Sequence, residues 1–482
     1  MGVDAVPVDV EIDVGPGLPS FAIVGLGDAA VQEARERVRS AVRASGFDVP
    51  NSRIVVNLAP APLRKHGTGF DLPIAVGLLV ATKQIAPHLA DEVLAVGELS
   101  LDGRVRGVAG ELAFAVSAAR EGLKLLSPPL TGGAGAIEGL DVRPVKTLGQ
   151  LKHGLPSASA WVTMTPEVEA GVDFGEVVGQ ELAVRALTVA AAGGHSMLMV
   201  GPPGSGKTML ARRLPTILPS LSATERLETA LVHSVAGVDA APALGGVRPF
   251  RAPHHSASIA GLIGGGSPPR PGEASLAHNG VLFLDEMPEF GPAALQCLRQ
   301  PLEDGAVTVV RAEGRVTYPA RFALIGSANP CPCGFLGDPV KPCSCPPSVV
   351  ERYRARIGGP LMDRIDMVVE VQRPDPALLL EPSGSRCSEA LREAVIEAQD
   401  RAVSRDGAVA AALSGRKLVE ACAMNQQAQR VLETSARMHS LSGRGVTRLL
   451  RVARTLADLD GDDGVAAGHI AESLGYRVTG RT

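Results

Sequence analysis

Gly201-Pro-Pro-Gly-Ser-Gly-Lys-Thr208 has the residue types and the spacing of a loop that cradles phosphates. Gly201, Gly204 and Gly206 let successive backbone N–H groups turn toward one anion, and the helix that follows aims its positive dipole end at the same point. Pro202, Pro203 and Ser205 complete the turn between them. Lys207 can then reach the terminal phosphates of a nucleotide such as ATP, and Thr208 can lend its hydroxyl to Mg2+. The flanks agree: 195–200 is short and apolar, as a buried parallel strand should be, and 209–214 has helical spacing. A glycine-rich turn without a ligand is the alternative, and it explains neither flank.

Gly280-Val-Leu-Phe-Leu-Asp-Glu286 reads as an apolar strand ending in two carboxylates. There Asp285 can hold the Mg2+ shell beside Thr208, and Glu286 can polarise an attacking water. Residues 321–329 form a further strand, and its terminal amide, Asn329, is expected beside the γ-phosphate, where it would orient that water. Leu361-Met-Asp-Arg-Ile-Asp366 supplies Arg364, a candidate arginine finger worth about 10³–10⁵ in rate. The plain alternative is a surface arginine paired with Asp363 or Asp366, worth about 0–1 kcal/mol. As a finger it acts on a neighbouring subunit, which requires an oligomeric ring. Further on, Arg444, Arg448 and Arg451 fall on neighbouring faces of one helix. Arg444, nearest the helix start, is the first candidate to reach the nucleotide, with Arg448 next; a solvated basic face is the alternative.

Cys331-Pro-Cys333 and Cys343-Ser-Cys345 put four thiols into one loop rich in Pro and Gly. Four thiolates suit tetrahedral Zn2+, and a loop with so little core would take its order from the metal. Free thiols and disulfides remain open, because the spacing is not the commoner CxxC. From Ala240 to Gly272 no acidic residue occurs, while Arg248, Arg251, His254, His255 and Arg270 stand among glycines. Such a segment suits contact with nucleic-acid phosphates. Residues 307–318 read as a hairpin that would present Arg311 and Arg315 nearby. An ordinary solvated loop and hairpin is the alternative.

Three regions must position these groups. Residues 1–160 alternate strands (6–14, 54–58, 93–99) with helices (29–44, 72–82). Residues 173–375 carry the α/β nucleotide core with the Cys-rich loop 331–345, and 389–482 has helical periodicity with almost no strand signal. The stretches 157–166 and 374–388 read as linkers. A chain of 482 residues allows two or three domains. With 47 Lys+Arg against 51 Asp+Glu, any nucleic-acid surface must be a local patch. Aromatics at 3%, with Trp161 alone of its kind, favour backbone contact over base stacking. No apolar run of about 20 residues would span a bilayer, so no membrane partner is expected. The first residues lack the form of a secretory leader, and four of seven cysteines crowd one loop, which suits a reducing cytoplasm.

Further stretches carry a specific resemblance: 249–255 (PFRAPHH), 264–266 (GGG), 271–280 (PGEASLAHNG) and 329–334 (NPCPCG), with 17–26, 56–61 and 69–75. Together they resemble the ComM/YifB family of magnesium-chelatase-like AAA+ ATPases over nearly the whole chain. The resemblance implies an α/β fold, an AAA+ P-loop parallel sheet with a C-terminal α-helical lid, preceded by an α+β Lon-protease-like domain. It implies a hexameric Mg-ATP motor on DNA, single-stranded or branched, since the best-described members drive branch migration in natural transformation. The first domain resembles that of Lon at 95–106 and 118–124. Lon-type cleavage needs a Ser nucleophile and an activating Lys. No Ser falls between Arg53 and Leu99 and no Lys between Gly107 and Leu123, so a non-catalytic copy is expected. The second reading is a chelatase-like ATPase subunit that remodels a partner protein, resembling only the core and lid.

Overall fold

The structure, a computed structural model, describes residues 2–129, 137, 139–158, 172–311, 314–338, 340–375 and 386–477, without the side chains of 311 and 314. Most of the expected linker 157–166, Trp161 and the centre of 374–388 lie outside the described residues. Two compact units result. The first comprises Met1–Pro166, Ala223–Gly245 and Ser267–Arg270; the second comprises Glu167–Ser222, Gly246–Gly266 and Pro271–Thr482. The acid-free stretch 240–272 is therefore divided between them.

In the first unit β1 (Asp9–Gly15), β2 (Ser20–Val24) and β3 (Arg53–Ala59) form a sheet in the order β1-β3-β2. The helix Ala29–Ala44 starts where the Asp28 carboxylate accepts from Val31 N, and it buries Val31, Ala34, Val38, Ala41 and Val42 at helical spacing. The apolar helix Asp71–Ala81 buries Leu72, Ile74, Leu78 and Leu79, each worth roughly 1.5–3 kcal/mol. The strand expected over 93–99 divides into β4 (Val93–Ala95) and β5 (Glu98–Leu99). The break falls where Gly97 N and O bond Gly69 O and Leu72 N instead of a sheet neighbour. β5 pairs with β6 (Val105–Arg106), and β4 joins β7 (Lys124–Ser127) and β8 (Val142–Pro144) in the order β4-β7-β8. Asp71 is wholly buried and held by Arg37 Nε at 2.6 Å, Arg37 Nη2 at 2.9 Å and Leu99 N at 3.1 Å.

The second unit is built on β9 (Met197–Val200), β10 (Phe250–Arg251), β11 (Gly280–Leu284), β14 (Phe322–Ala328) and β15 (Met367–Glu370). All pairs are parallel, in the order β10-β11-β14-β9-β15. Helices cover such a sheet, so its strands read as unbroken apolar runs; β11 is buried along its length. The expected hairpin forms from β12 (Ala306–Arg311) and β13 (Gly314–Pro319). After residue 387 the described chain is helical: Ser388–Asp406, Gly415–Cys422, Gln426–Met438, Gly443–Asp460 and Ala467–Gly475. Ser442 caps the fourth of these by accepting from Gly445 N. Among the described residues no helix is long and apolar enough to cross a membrane.

Candidate active site

The register of the parallel sheet brings three strand ends together. Ala328 lies opposite Val200, and Gly201 N donates to Ala328 O at 3.1 Å, so Asn329 emerges beside the glycine loop. A Cβ on Gly201 would sit 2.1 Å from Val371 O, so no larger residue fits between β14 and β15. The helix Lys207–Ile217 follows directly. Lys207 folds back over the loop, donating to Gly201 O at 2.7 Å and Pro202 O at 2.9 Å, with Ser205 Oγ and Asn329 Oδ1 each at 3.4 Å. Burial lowers the Lys207 pKa, while the carboxylates of Asp285 and Glu286 oppose the shift. A phosphate here would act in the same sense as those carboxylates.

Thr208 Oγ1 donates to Asp285 Oδ2 at 2.8 Å, placing two hard oxygens side by side at the loop, the donor set that Mg2+ takes beside phosphate. The other Asp285 oxygen accepts from Ser327 Oγ at 2.5 Å, and Ser327 Oγ accepts from Glu286 N at 2.9 Å. That clasp holds Glu286 at φ +51°, left-handed for a residue with a side chain, and leaves its carboxylate exposed. Gln180 Nε2 donates to Ser205 O at 2.5 Å, and the Asn329 backbone N–H bonds the hydroxyl of Tyr353. Sequence reasoning missed Ser327, Gln180 and Tyr353. Only Ser327 carried a signal, a hydroxyl in an otherwise apolar, buried strand.

The candidate arginines lie elsewhere. Arg364, Arg444, Arg448 and Arg451 line a cavity of about 690 Å³ together with Gly194, Ser196, Arg321 and Phe322. The last four mark the amino ends of β9 and β14, whereas the glycine loop and Asn329 follow their carboxyl ends. Arg364 pairs with Glu303, a partner the sequence did not suggest, and donates to Pro360 O at 2.5 Å. Burial, then the guanidiniums of Arg299, Arg444 and Arg448, lower its pKa. Arg448 is buried and tied to Met362 O and Ile365 O, while Arg444 stays largely exposed, 3.9 Å from Asp363. Among the described residues no hydrogen bond or ion pair joins these arginines to Lys207, Thr208 or Asp285.

The four loop thiols converge, as a shared metal would require. Cys331 Sγ lies 3.3 Å from Cys333 Sγ and 3.6 Å from Cys343 Sγ, and all four sulfurs, Cys345 included, fall within 4.8 Å of one another. Sulfurs bound at about 2.3 Å around tetrahedral Zn2+ would sit about 3.8 Å apart. All four are free, and a disulfide would need about 2.05 Å. Among the candidate nucleic-acid contacts, Arg270 and Arg315 are exposed, and the Arg311 side chain lies outside the described residues. Arg251 is occupied by Glu273 through two hydrogen bonds of 2.7 and 2.8 Å, and Arg248 by the carbonyls of Pro219 and Asn279.

A glycine loop at the carboxyl end of a parallel sheet, an acidic strand end and a polar strand end beside it, and a helical C-terminal region define an AAA+ ATPase core. Residues 173–378 match the family described as magnesium chelatase, subunit ChlI; residues 10–130 match subunit ChlI of Mg-chelatase, and 385–477 its C-terminal family. The chain is 41% identical over 490 residues to YifB of Salmonella typhimurium, spanning 100% of this chain and 96% of that one. It is 40% identical over 492 residues to competence protein ComM of Haemophilus influenzae, spanning 99% and 96%. The magnesium-chelatase 38 kDa subunit of Cereibacter sphaeroides is 26% identical over 320 residues, spanning 62% of this chain and 88% of its own. The chain belongs to the ComM/YifB family of magnesium-chelatase-like AAA+ ATPases. ATP and Mg2+ are the cofactors that this family implies.

Proposed function

We propose that this chain is a motor of the cytoplasm that forms a hexameric ring and hydrolyses Mg-ATP to move DNA, single-stranded or branched, in recombination of incoming DNA.

 One observation carries the reading: the glycine loop, with Lys207, Thr208 and Asp285, and a set of arginines lie at opposite ends of the same parallel sheet. A ring stacks one end of each protomer's sheet against the other end of the next, which supplies both halves to every pocket. ATP with Mg2+, when bound, supplies the phosphoanhydride whose cleavage drives the motor. Gly201 to Gly206 would hold its phosphates through backbone N–H groups, with Lys207 on the terminal ones. Thr208 and Asp285 would bear the Mg2+, and Glu286 and Asn329 would prepare the water. Arg364 of the adjacent subunit would leave Glu303 to meet the developing charge, with Arg444 beside it.

In this reading residues 1–160 form a non-catalytic Lon-like domain for assembly or substrate handling, 173–375 the ATPase core and 389–482 the lid. Cys331, Cys333, Cys343 and Cys345 hold one Zn2+. The exposed Arg270 and Arg315 meet DNA phosphates, joined by Arg311, and by Arg251 once it leaves Glu273. The name of the Haemophilus influenzae relative, a competence protein, supports DNA as the substrate. The similarity to a magnesium-chelatase subunit supports the second reading, a motor that remodels a partner protein, over 62% of the chain. The test is ATP turnover with single-stranded, duplex and branched DNA, coupled to sizing with a non-hydrolysable nucleotide. DNA-stimulated turnover by a ring, weakening as salt rises, is expected. A monomer whose turnover ignores DNA would sink the proposal.

A further inference from the structure

The thiol loop does not stand apart from the phosphate-binding loop. Cys331 follows Asn329 by two residues and is fully buried. Gly334 N closes a turn onto Cys331 O at 2.9 Å, and Gly334 has φ +84°. A Cβ on Gly334 would lie 2.5 Å from Pro203 Cδ and 2.7 Å from Pro203 Cγ, so the thiol loop rests its backbone directly on the glycine loop. Arg373, beyond β15, closes the arrangement from the other side. Its Nε and Nη2 donate to Pro203 O at 3.3 and 3.2 Å, and its Nη1 lies 3.5 Å from Asp338 Oδ2. Its guanidinium also stands 5.6 Å from the centre of the Phe335 ring, which Lys341 Nζ covers at 4.1 Å. Asp338 is fixed in turn by the backbone N–H groups of Val340 and Lys341, both at 2.9 Å. Phe335, Asp338 and Lys341 all belong to the span between the two thiol pairs.

We propose that the metal-held thiol loop and Arg373 position the Pro202–Pro203 turn for nucleotide, so that affinity for ATP depends on the metal although no thiol touches the phosphates. The inference rests on the reading of 201–208 as the ATP site and of the four thiols as a Zn2+ site. Its physical basis is pre-organisation. A turn already fixed by Gly334 and Arg373 loses less freedom when phosphate binds. Four thiols released from a metal would also repack, because the span they close contains few apolar side chains to order it.

The experiment uses the full chain and a fluorescent ATP analogue with Mg2+. Zinc content is measured by elemental analysis, and Co2+ is used as a second probe of the thiols through its thiolate charge-transfer absorption. The zinc-loaded chain should bind the analogue; failure there would sink the nucleotide reading rather than this one. Removing zinc with a thiol-directed mercurial and a chelator should weaken the analogue about tenfold, and adding Zn2+ back should restore it. Arg373→Ala keeps all four thiols and decides the matter even if the metal-free chain unfolds. It should retain zinc and melting temperature, weaken the analogue about tenfold and raise KM with little change in kcat. Arg373→Lys should recover part of the loss. A chain that takes up neither Zn2+ nor Co2+ would overturn the inference. So would an Arg373→Ala variant that binds the analogue as tightly as the unaltered chain.

Discussion

Two inactive variants, mixed, should regain activity if Arg364 serves a neighbour's pocket. Glu286→Gln removes the group proposed to polarise water but leaves Arg364 intact; Arg364→Ala does the reverse. Alone, the first should lose about 10²–10⁴ in turnover and the second about 10³–10⁵. The structure sets the geometry. β14 runs seven residues, about 23 Å at roughly 3.3 Å each. The arginine cavity opens at its Arg321–Phe322 end and Asn329 follows its other end. No guanidinium of that cavity can touch a phosphate beside Asn329 of its own chain. In an equal, random mixture an intact pocket needs Glu286 from one kind of subunit and Arg364 from the other. About one pocket in four meets both conditions. Steady-state ATP turnover of the mixture should therefore approach a quarter of the unaltered rate, far above either variant. If Arg364 served its own chain, every pocket would carry one defect. A mixture as inactive as its parts would refute the reasoning.

Three further outcomes follow from particular contacts. Ser327→Ala deprives Asp285 and the Glu286 N–H of their shared hydroxyl, so Mg2+ dependence or kcat should worsen by about 10–100-fold in a magnesium titration of turnover. Arg37→Met leaves the buried Asp71 carboxylate without its cation. It should cost about 3–5 kcal/mol in urea denaturation, and a loss under about 1 kcal/mol would contradict a buried, paired charge. Arg315→Ala should weaken DNA binding and reduce the slope of log affinity against log salt by about 1; an unchanged slope removes that residue from the DNA surface.

Much of the core was legible because its signals are local. The glycine loop, the acidic end of β11 and the amide after β14 each declare themselves within ten residues, and the helices over 29–44 and 72–82 follow from apolar spacing. What sequence could not reach depends on strand order. Neighbours in the sheet come from 250, 280, 322, 197 and 367, and only that order sets Asn329 beside Gly201 and sends Arg364 to the far end. Arg251 shows a second limit. The acid-free stretch ends at Gly272, and Glu273, one residue beyond, is the group that neutralises Arg251 across 22 positions. Gln180 and Arg373 act on backbone groups brought near by folding, so their residue types alone announce nothing, and Ser327 offered only a hydroxyl in an apolar strand. The Arg37–Asp71 pair, which joins residues 34 positions apart, is long-range in the same way.

ATP turnover by the purified chain, with Mg2+ and again with the metal chelated, measured alongside Lys207→Ala, bears most directly on the central claim. Lys207 binds the loop carbonyls and faces Asn329, so the account expects Mg2+-dependent turnover that disappears in the variant while its melting temperature holds. Turnover that persists without Lys207, or a chain that never hydrolyses ATP with Mg2+ and DNA supplied, would contradict it.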